Sequence, residues 1–125
     1  MKFLVVDDSV TMRRIMINAL ERLGYTNIVE ATNGLEALAQ FDESIGFIIT
    51  DWNMPKLSGL DFARTVRSTP IGRSIPILMV TTRGAREDIA AAMEVGVNNY
   101  ILKPFTPSVL KEKIDRLLAT LSAAA

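Results

Sequence analysis

The 125-residue sequence predicts an α/β fold in which a parallel five-stranded sheet carries helices on both faces. Three observations carry that prediction. Short runs of apolar residues, mostly β-branched or aromatic, recur without polar alternation, as in strands buried on both faces. The gaps between them place apolar residues at spacings of three and four, the helical period. The seven glycines, at 24, 34, 46, 59, 72, 84 and 96, all fall at or near the junctions so defined. Strand and helix alternate five times, a (βα)5 pattern that calls for right-handed crossovers and one doubly wound sheet. Residues 1–125 are expected to form a single domain.

The first strand is Phe3-Leu4-Val5-Val6, which stops at Asp7-Asp8. Met12, Ile15, Met16, Ala19, Leu20 and Leu23 then form one helical stripe, with Ser9 placed to cap its start and Gly24 its end. Ile28-Val29-Glu30-Ala31 is a weaker second strand. Asn33 is a cap for a helix carrying Leu35, Leu38 and Phe41, although Asn33-Gly34 also reads as a turn. Phe47-Ile48-Ile49-Thr50 is the third strand and stops at Asp51. Ser58 begins a helix through Phe62, Ala63 and Val66. Ile77-Leu78-Met79-Val80 is the fourth strand, followed by Thr81-Thr82. Ile89, Ala92 and Met93 mark a helix that ends before Gly96. Asn99-Tyr100-Ile101-Leu102 is the fifth strand, closed by Lys103 and by Pro104, which cannot extend a ladder. The last helix opens on Thr106-Pro107, a cap followed by proline at the first helical position. It continues through Leu110, Ile114, Leu117, Leu118 and Leu121, with Ser122–Ala125 expected to fray.

In open parallel sheets ligands sit beyond the carboxyl ends of the strands. Here those ends offer Asp7-Asp8, Asp51, Thr81-Thr82 and Lys103. Polar residues follow strands simply because loops meet water, yet four ends of complementary chemistry point to a site. Three carboxylates gathered at one edge repel one another unless a cation sits among them. A hard, oxygen-bound ion such as Mg²⁺ suits them.

The rest of the composition narrows the chemistry. Fourteen basic residues balance fourteen acidic ones, which argues against general attraction to nucleic acid or membrane. There is no cysteine and no histidine, so thiolate and imidazole metal sites, Ser-His and Cys-His catalysis and phosphohistidine on this chain are all excluded. No signal peptide or membrane-length apolar run is present, and a cytoplasmic location is expected. Asp8-Ser9-Val10-Thr11-Met12 contains no glycine, against a dinucleotide fold, a P-loop or a mononucleotide site of the flavodoxin kind. A Mg²⁺-dependent phosphatase with an aspartyl nucleophile is an alternative. Such enzymes use a second aspartate two residues on as general acid, and here that position is Asn53.

Together, Val5-Val6-Asp7-Asp8-Ser9, Thr50-Asp51-Trp52-Asn53-Met54-Pro55, Ser58-Gly59, Val80-Thr81 and Lys103-Pro104-Phe105 are highly specific. The chain resembles a response-regulator receiver domain from end to end, most closely the CheY type of single-domain chemotaxis regulators. The resemblance implies a flavodoxin-like fold with strand order 2-1-3-4-5, the order for which CheY is itself a standard example. It implies Asp51 as phosphoryl acceptor and Mg²⁺ held by Asp7, Asp8, Asp51 and the Asn53 backbone carbonyl. Lys103 would pair with the Asp51 carboxylate and then with a phosphoryl oxygen. The Thr81 hydroxyl would bond another phosphoryl oxygen, and Tyr100 would be the aromatic switch that turns inward as Thr81 moves.

The implied role is a phospho-accepting switch of a two-component system that catalyses only its own phosphorylation and dephosphorylation. Implied partners are a histidine kinase, a downstream protein, with the flagellar motor switch first and a non-chemotaxis phosphorelay next, and a phosphatase. The output surface would include Ile89, Tyr100 and Lys113, with the protein a monomer and neither nucleic acid nor membrane among its partners.

The chain departs from the family pattern at Thr82, where the family usually has a very small residue, and at Arg83, where chemotaxis members often carry an acid. Arg83 and Asn53 flank the expected path of hydrolytic water, and Gly84-Ala85 is flexible and short of charge. Trp52 is either a partner contact or a half-buried ring shielding the loop. Arg13-Arg14 reads as a solvated helix face, with contact to an acidic partner as the alternative, and the methionines read mostly as core.

Overall fold

The computed structural model of the protein describes residues 1–124, with side chains through residue 120. Five strands alternate with five helices: β1 (Lys2–Val6), α1 (Val10–Arg22), β2 (Ile28–Ala31), α2 (Gly34–Gln40), β3 (Ile45–Thr50), α3 (Gly59–Arg67), β4 (Ile77–Thr81), α4 (Arg86–Glu94), β5 (Asn99–Leu102) and α5 (Pro107–Ala124). All strand pairs are parallel, and the spatial order is β2-β1-β3-β4-β5. The expected fold is therefore the observed one. Of the tail expected to fray, Ser122 to Ala124 belong to α5, and Ala125 lies outside the described residues.

The strands are apolar throughout because each face packs against helices. Alternation along β1 sends Phe3 and Val5 to one face and Leu4 and Val6 to the other. On the first face they join Phe47, Ile49, Leu78, Val80 and Ile101 under α1 and α5, where Met16, Leu20, Leu110 and Ile114 are fully buried. Phe3 stacks obliquely against Phe47 and Tyr25, with ring centroids 5.1 and 4.8 Å apart. On the second face Ile48, Ile77, Met79 and Tyr100 pack under α2, α3 and α4, where Ala37, Phe62, Ala63, Val66 and Ala92 are buried. Edge strand β2 has only one fully buried residue, Ala31, which accounts for its weak sequence signal.

Local capping follows the sequence closely. Ser9, Asn33 and Ser58 each accept a hydrogen bond from the amide three residues on, at 3.1, 2.9 and 3.1 Å. Asn33-Gly34 is thus a helix start rather than a free turn. Helix α4 is the exception, since its N-cap residue is Ala85, which makes no side-chain cap. Two stripes are less buried than the helical period suggests, because Leu35 is 52% and Met93 40% exposed. Of the six methionines, Met16 and Met79 are fully buried, whereas Met1 and Met93 are exposed.

Candidate functional site

Strand register assembles the site. Val6 stands opposite Thr50 in the β1–β3 ladder, so the next residues, Asp7 and Asp51, leave the sheet side by side. The ladder runs one step further, since the Asp51 amide donates to Val6 O at 2.9 Å and the Asp7 amide to Ala31 O at 3.1 Å. On the other side Thr81 stands opposite Leu102, and the Lys103 amide donates to Thr81 O at 2.8 Å. Four strand ends therefore converge on one edge.

Charge decides what happens there. Asp7 is fully buried, Asp51 is 7% exposed and Asp8 faces solvent. Oxygen atoms of these three carboxylates lie within 4.8 Å of one another. Lys103 Nζ bridges two of them, donating to Asp7 Oδ2 at 2.9 Å and Asp51 Oδ2 at 3.0 Å. The other oxygens are held by the backbone: Ser9 N donates to Asp7 Oδ1 at 2.9 Å and Trp52 N to Asp51 Oδ1 at 2.6 Å. One ammonium faces three carboxylates, so the group carries excess negative charge. Burial pushes the Asp7 carboxyl above the ordinary aspartate value, although its bonds to Lys103 and Ser9 pull the other way. Burial also opposes the Lys103 ammonium, but its bonds to Asp7 and Asp51 prevail and raise it above the usual lysine value. An all-oxygen, acidic donor set in a chain without histidine or cysteine fits a hard cation such as Mg²⁺.

The loop after Asp51 is tightly folded. Lys56 adopts a left-handed conformation (φ 69°), and Gly59 N donates to Trp52 O at 2.8 Å, returning the chain toward Asp51. Trp52 is only 7% exposed, which favours the shielding role over a partner contact. Asn53 is exposed. Arg83 connects this loop to the opposite wall. Its guanidinium lies 4.7 Å from the Trp52 ring centroid, its Nε donates to Asn53 Oδ1 at 3.0 Å and its Nη1 lies 3.4 Å from Asp88 Oδ1. Thr82 is exposed.

Thr81 is fully buried, and its hydroxyl accepts from Arg83 N at 3.3 Å. Tyr100 lies inward at 9% exposure, its hydroxyl donating to Arg83 O at 2.6 Å. Burial, reinforced by the Asp88 carboxylate, pushes its phenol up to about 12. Ile89 is half-buried against the second core face, and Lys113 is half-buried with Nζ 3.3 Å from Asn99 Oδ1. The three residues expected on the output surface thus differ in exposure, with Tyr100 enclosed.

Arg13 departs from its reading as solvated. Its side chain is 11% exposed, with Nη1 donating to Asp7 O at 2.7 Å and Nε to Glu30 Oε1 at 3.0 Å. The available signal was its position next to Met12, on the border of the buried stripe of α1. Arg14 is exposed, as expected.

This fold and this strand-end constellation define a phosphoacceptor receiver, and the chain belongs to the response regulator receiver domain family, whose model matches residues 3–115. Among curated relatives it is similar to chemotaxis protein CheY1 of Helicobacter pylori, 52% identical over 122 residues that cover 96% of this chain and 98% of the relative. Among solved structures it is similar to the chemotaxis response regulator CheY4 of Vibrio cholerae, with TM-score 0.85, 36% identity and coverage of 93% of this chain and 97% of that one. It is also similar to the receiver domain of a sensor histidine kinase from Pseudomonas aeruginosa PAO1, solved with a magnesium ion coordinated in the active-site cleft. That likeness has TM-score 0.83, 25% identity and coverage of 94% of this chain and 97% of that one. Among the described residues no helix is long and apolar enough to cross a membrane.

Proposed function

We propose that this chain is a chemotaxis response regulator that accepts a phosphoryl group on Asp51 from a histidine kinase. The observation that carries the reading is the Lys103 ammonium bridging Asp7 and Asp51 beside Asp8. Asp7, Asp8, Asp51 and the Asn53 carbonyl would hold Mg²⁺, which when bound supplies positive charge to neutralise oxygens during phosphoryl transfer. An Asp51 carboxylate oxygen attacks phosphorus as the P–N bond of the donor phosphohistidine breaks, its electron pair passing to the imidazole. Lys103 would exchange its bond to Asp51 for one to a phosphoryl oxygen, and the Thr81 hydroxyl would bond a second. The chain's only chemistry would be this self-phosphorylation and its own dephosphorylation, in which water takes the phosphoryl group as inorganic phosphate and frees the Asp51 carboxylate. The phosphatase alternative is disfavoured, since Asn53 has no acidic proton for a leaving group and its side-chain oxygen already accepts from Arg83.

Output follows as a population shift. Tyr100 is held inward by Arg83 O, and Thr81 meets Arg83 N, so both switch residues converge on one loop residue. A phosphoryl group that recruits the Thr81 hydroxyl would favour this inward arrangement and the surface around Ile89 and Lys113 that goes with it. The reader of that surface is a downstream protein, for which the names of the relatives favour the flagellar motor switch. A cytoplasmic monomer made of one receiver domain over residues 1–125, and a partner phosphatase, complete the proposal.

The test is intact-mass measurement after incubation with acetyl phosphate and Mg²⁺. Wild type is expected to gain one phosphoryl group that hydroxylamine captures, as a mixed anhydride should, and Asp51→Asn none. Equal labelling of Asp51→Asn would move the acceptor elsewhere.

A further inference from the structure

We infer that Arg13 is a positioning residue for the metal-binding edge, its guanidinium fixing the turn that presents Asp7 and Asp8. The inference rests on the reading of those carboxylates as Mg²⁺ ligands. One planar group ties three elements together: it projects from α1, donates to the carbonyl oxygen of Asp7 just past β1, and pairs with Glu30 of β2. Asp7 is otherwise held through its amide by Ala31 O and through its carboxylate by Ser9 and Lys103. The Arg13 bond completes the set, leaving the residue little freedom to rotate.

Helix energetics do not account for a cation there. Arg13 lies in the opening turn of α1, where the helix dipole disfavours positive charge and where no acid is present to offset it. Its side chain is 11% exposed, so it has also lost most of its contact with water. Its two acceptors, a backbone carbonyl just past β1 and a carboxylate on β2, suit a rigid guanidinium fork and not a lysine point charge.

The test turns on a sign. If Arg13 were only a nearby charge, removing it would leave the edge more negative and tighten Mg²⁺ binding. Positioning predicts the reverse. Mg²⁺ is titrated against the fluorescence of the single tryptophan, Trp52, next to Asp51, in wild type, Arg13→Gln and Arg13→Lys. Urea unfolding in chelator separates any loss of fold. Arg13→Gln is expected to weaken Mg²⁺ binding by about tenfold, the lower end for residues that orient metal ligands. Arg13→Lys, which keeps the charge but loses the fork, is expected to fall between the two. Unchanged or tighter binding in Arg13→Gln overturns the inference. Should Arg13→Gln fail to fold, Arg13→Lys with wild-type affinity overturns it equally. Wild type that does not respond to Mg²⁺ removes the metal-site reading itself, and the inference with it.

Discussion

Among the described residues Lys103 is the only ammonium bonded to the buried carboxylates, and Tyr100 is an enclosed phenol bonded to the Arg83 carbonyl; both tie stability to alkaline pH. A lysine whose folded pKa is raised contributes stability that is complete below its unfolded value of 10.5 and is lost as pH climbs through the folded value. The phenol acts in the same direction. Unfolded, it ionises near 10.0, whereas in the fold burial and Asp88 hold it to about 12. Between those values the native state binds more protons than the unfolded chain, so stability falls as pH rises across the window. Tyr100→Phe should show a shallower fall in urea midpoint from pH 10 to about 12 than wild type; parallel slopes would mean the phenol is solvated. At this scale the acidic residues and Lys103 were legible because each ends an apolar run. Arg83 was legible only as a flank of the site beside Asn53, to which it is bonded, and Arg13 was not, because a cation on a helix normally faces water. Only the register shows that carbonyl and carboxylate acceptors lie within reach of their guanidinium groups.

Among elements, caps and strands were legible because their signals are local. Ser9, Asn33 and Ser58 hydrogen-bond within their own first turns. The return of α3 toward the β3 end is not local, yet it fixes the position of Asp51. A Cβ on Gly59 would lie 1.7 Å from the carbonyl oxygen of Asp51 and 3.1 Å from the Cα of Trp52. The neighbouring atoms are backbone and cannot swing aside. Gly59→Ala should therefore destabilise the protein by about 1–3 kcal/mol, as overpacking does, and displace Asp51 with it. Thermal unfolding and the rate of phosphorylation by acetyl phosphate check both effects. A variant with wild-type stability and rate would mean that the loop and α3 are free to separate. Where local signals failed, packing explains it: Leu35 and Met93 keep helical spacing but lie beyond the area that the sheet can cover.

Across the whole molecule, strand order 2-1-3-4-5 brings residues as far apart in the chain as Asp7 and Lys103 into one cluster. The alternation of strands and helices foretold a parallel sheet, but the order itself came from family resemblance, since periodicity alone does not rank neighbours. The consequence is a fold with uncompensated negative charge built into its functional edge. Mg²⁺ should stabilise it by mass action, by about 2.7 kcal/mol at a hundred times the dissociation constant. Asp8→Asn removes one repulsive charge with little change of shape. The metal-free variant should be more stable than wild type, by up to about 1 kcal/mol for an exposed group, while binding Mg²⁺ more weakly and accepting phosphate more slowly. Urea unfolding of wild type and Asp8→Asn, in chelator and in excess Mg²⁺, tests this most directly. The account predicts a more stable metal-free Asp8→Asn protein with a diminished gain from Mg²⁺; a less stable metal-free variant, or an undiminished gain, would contradict it.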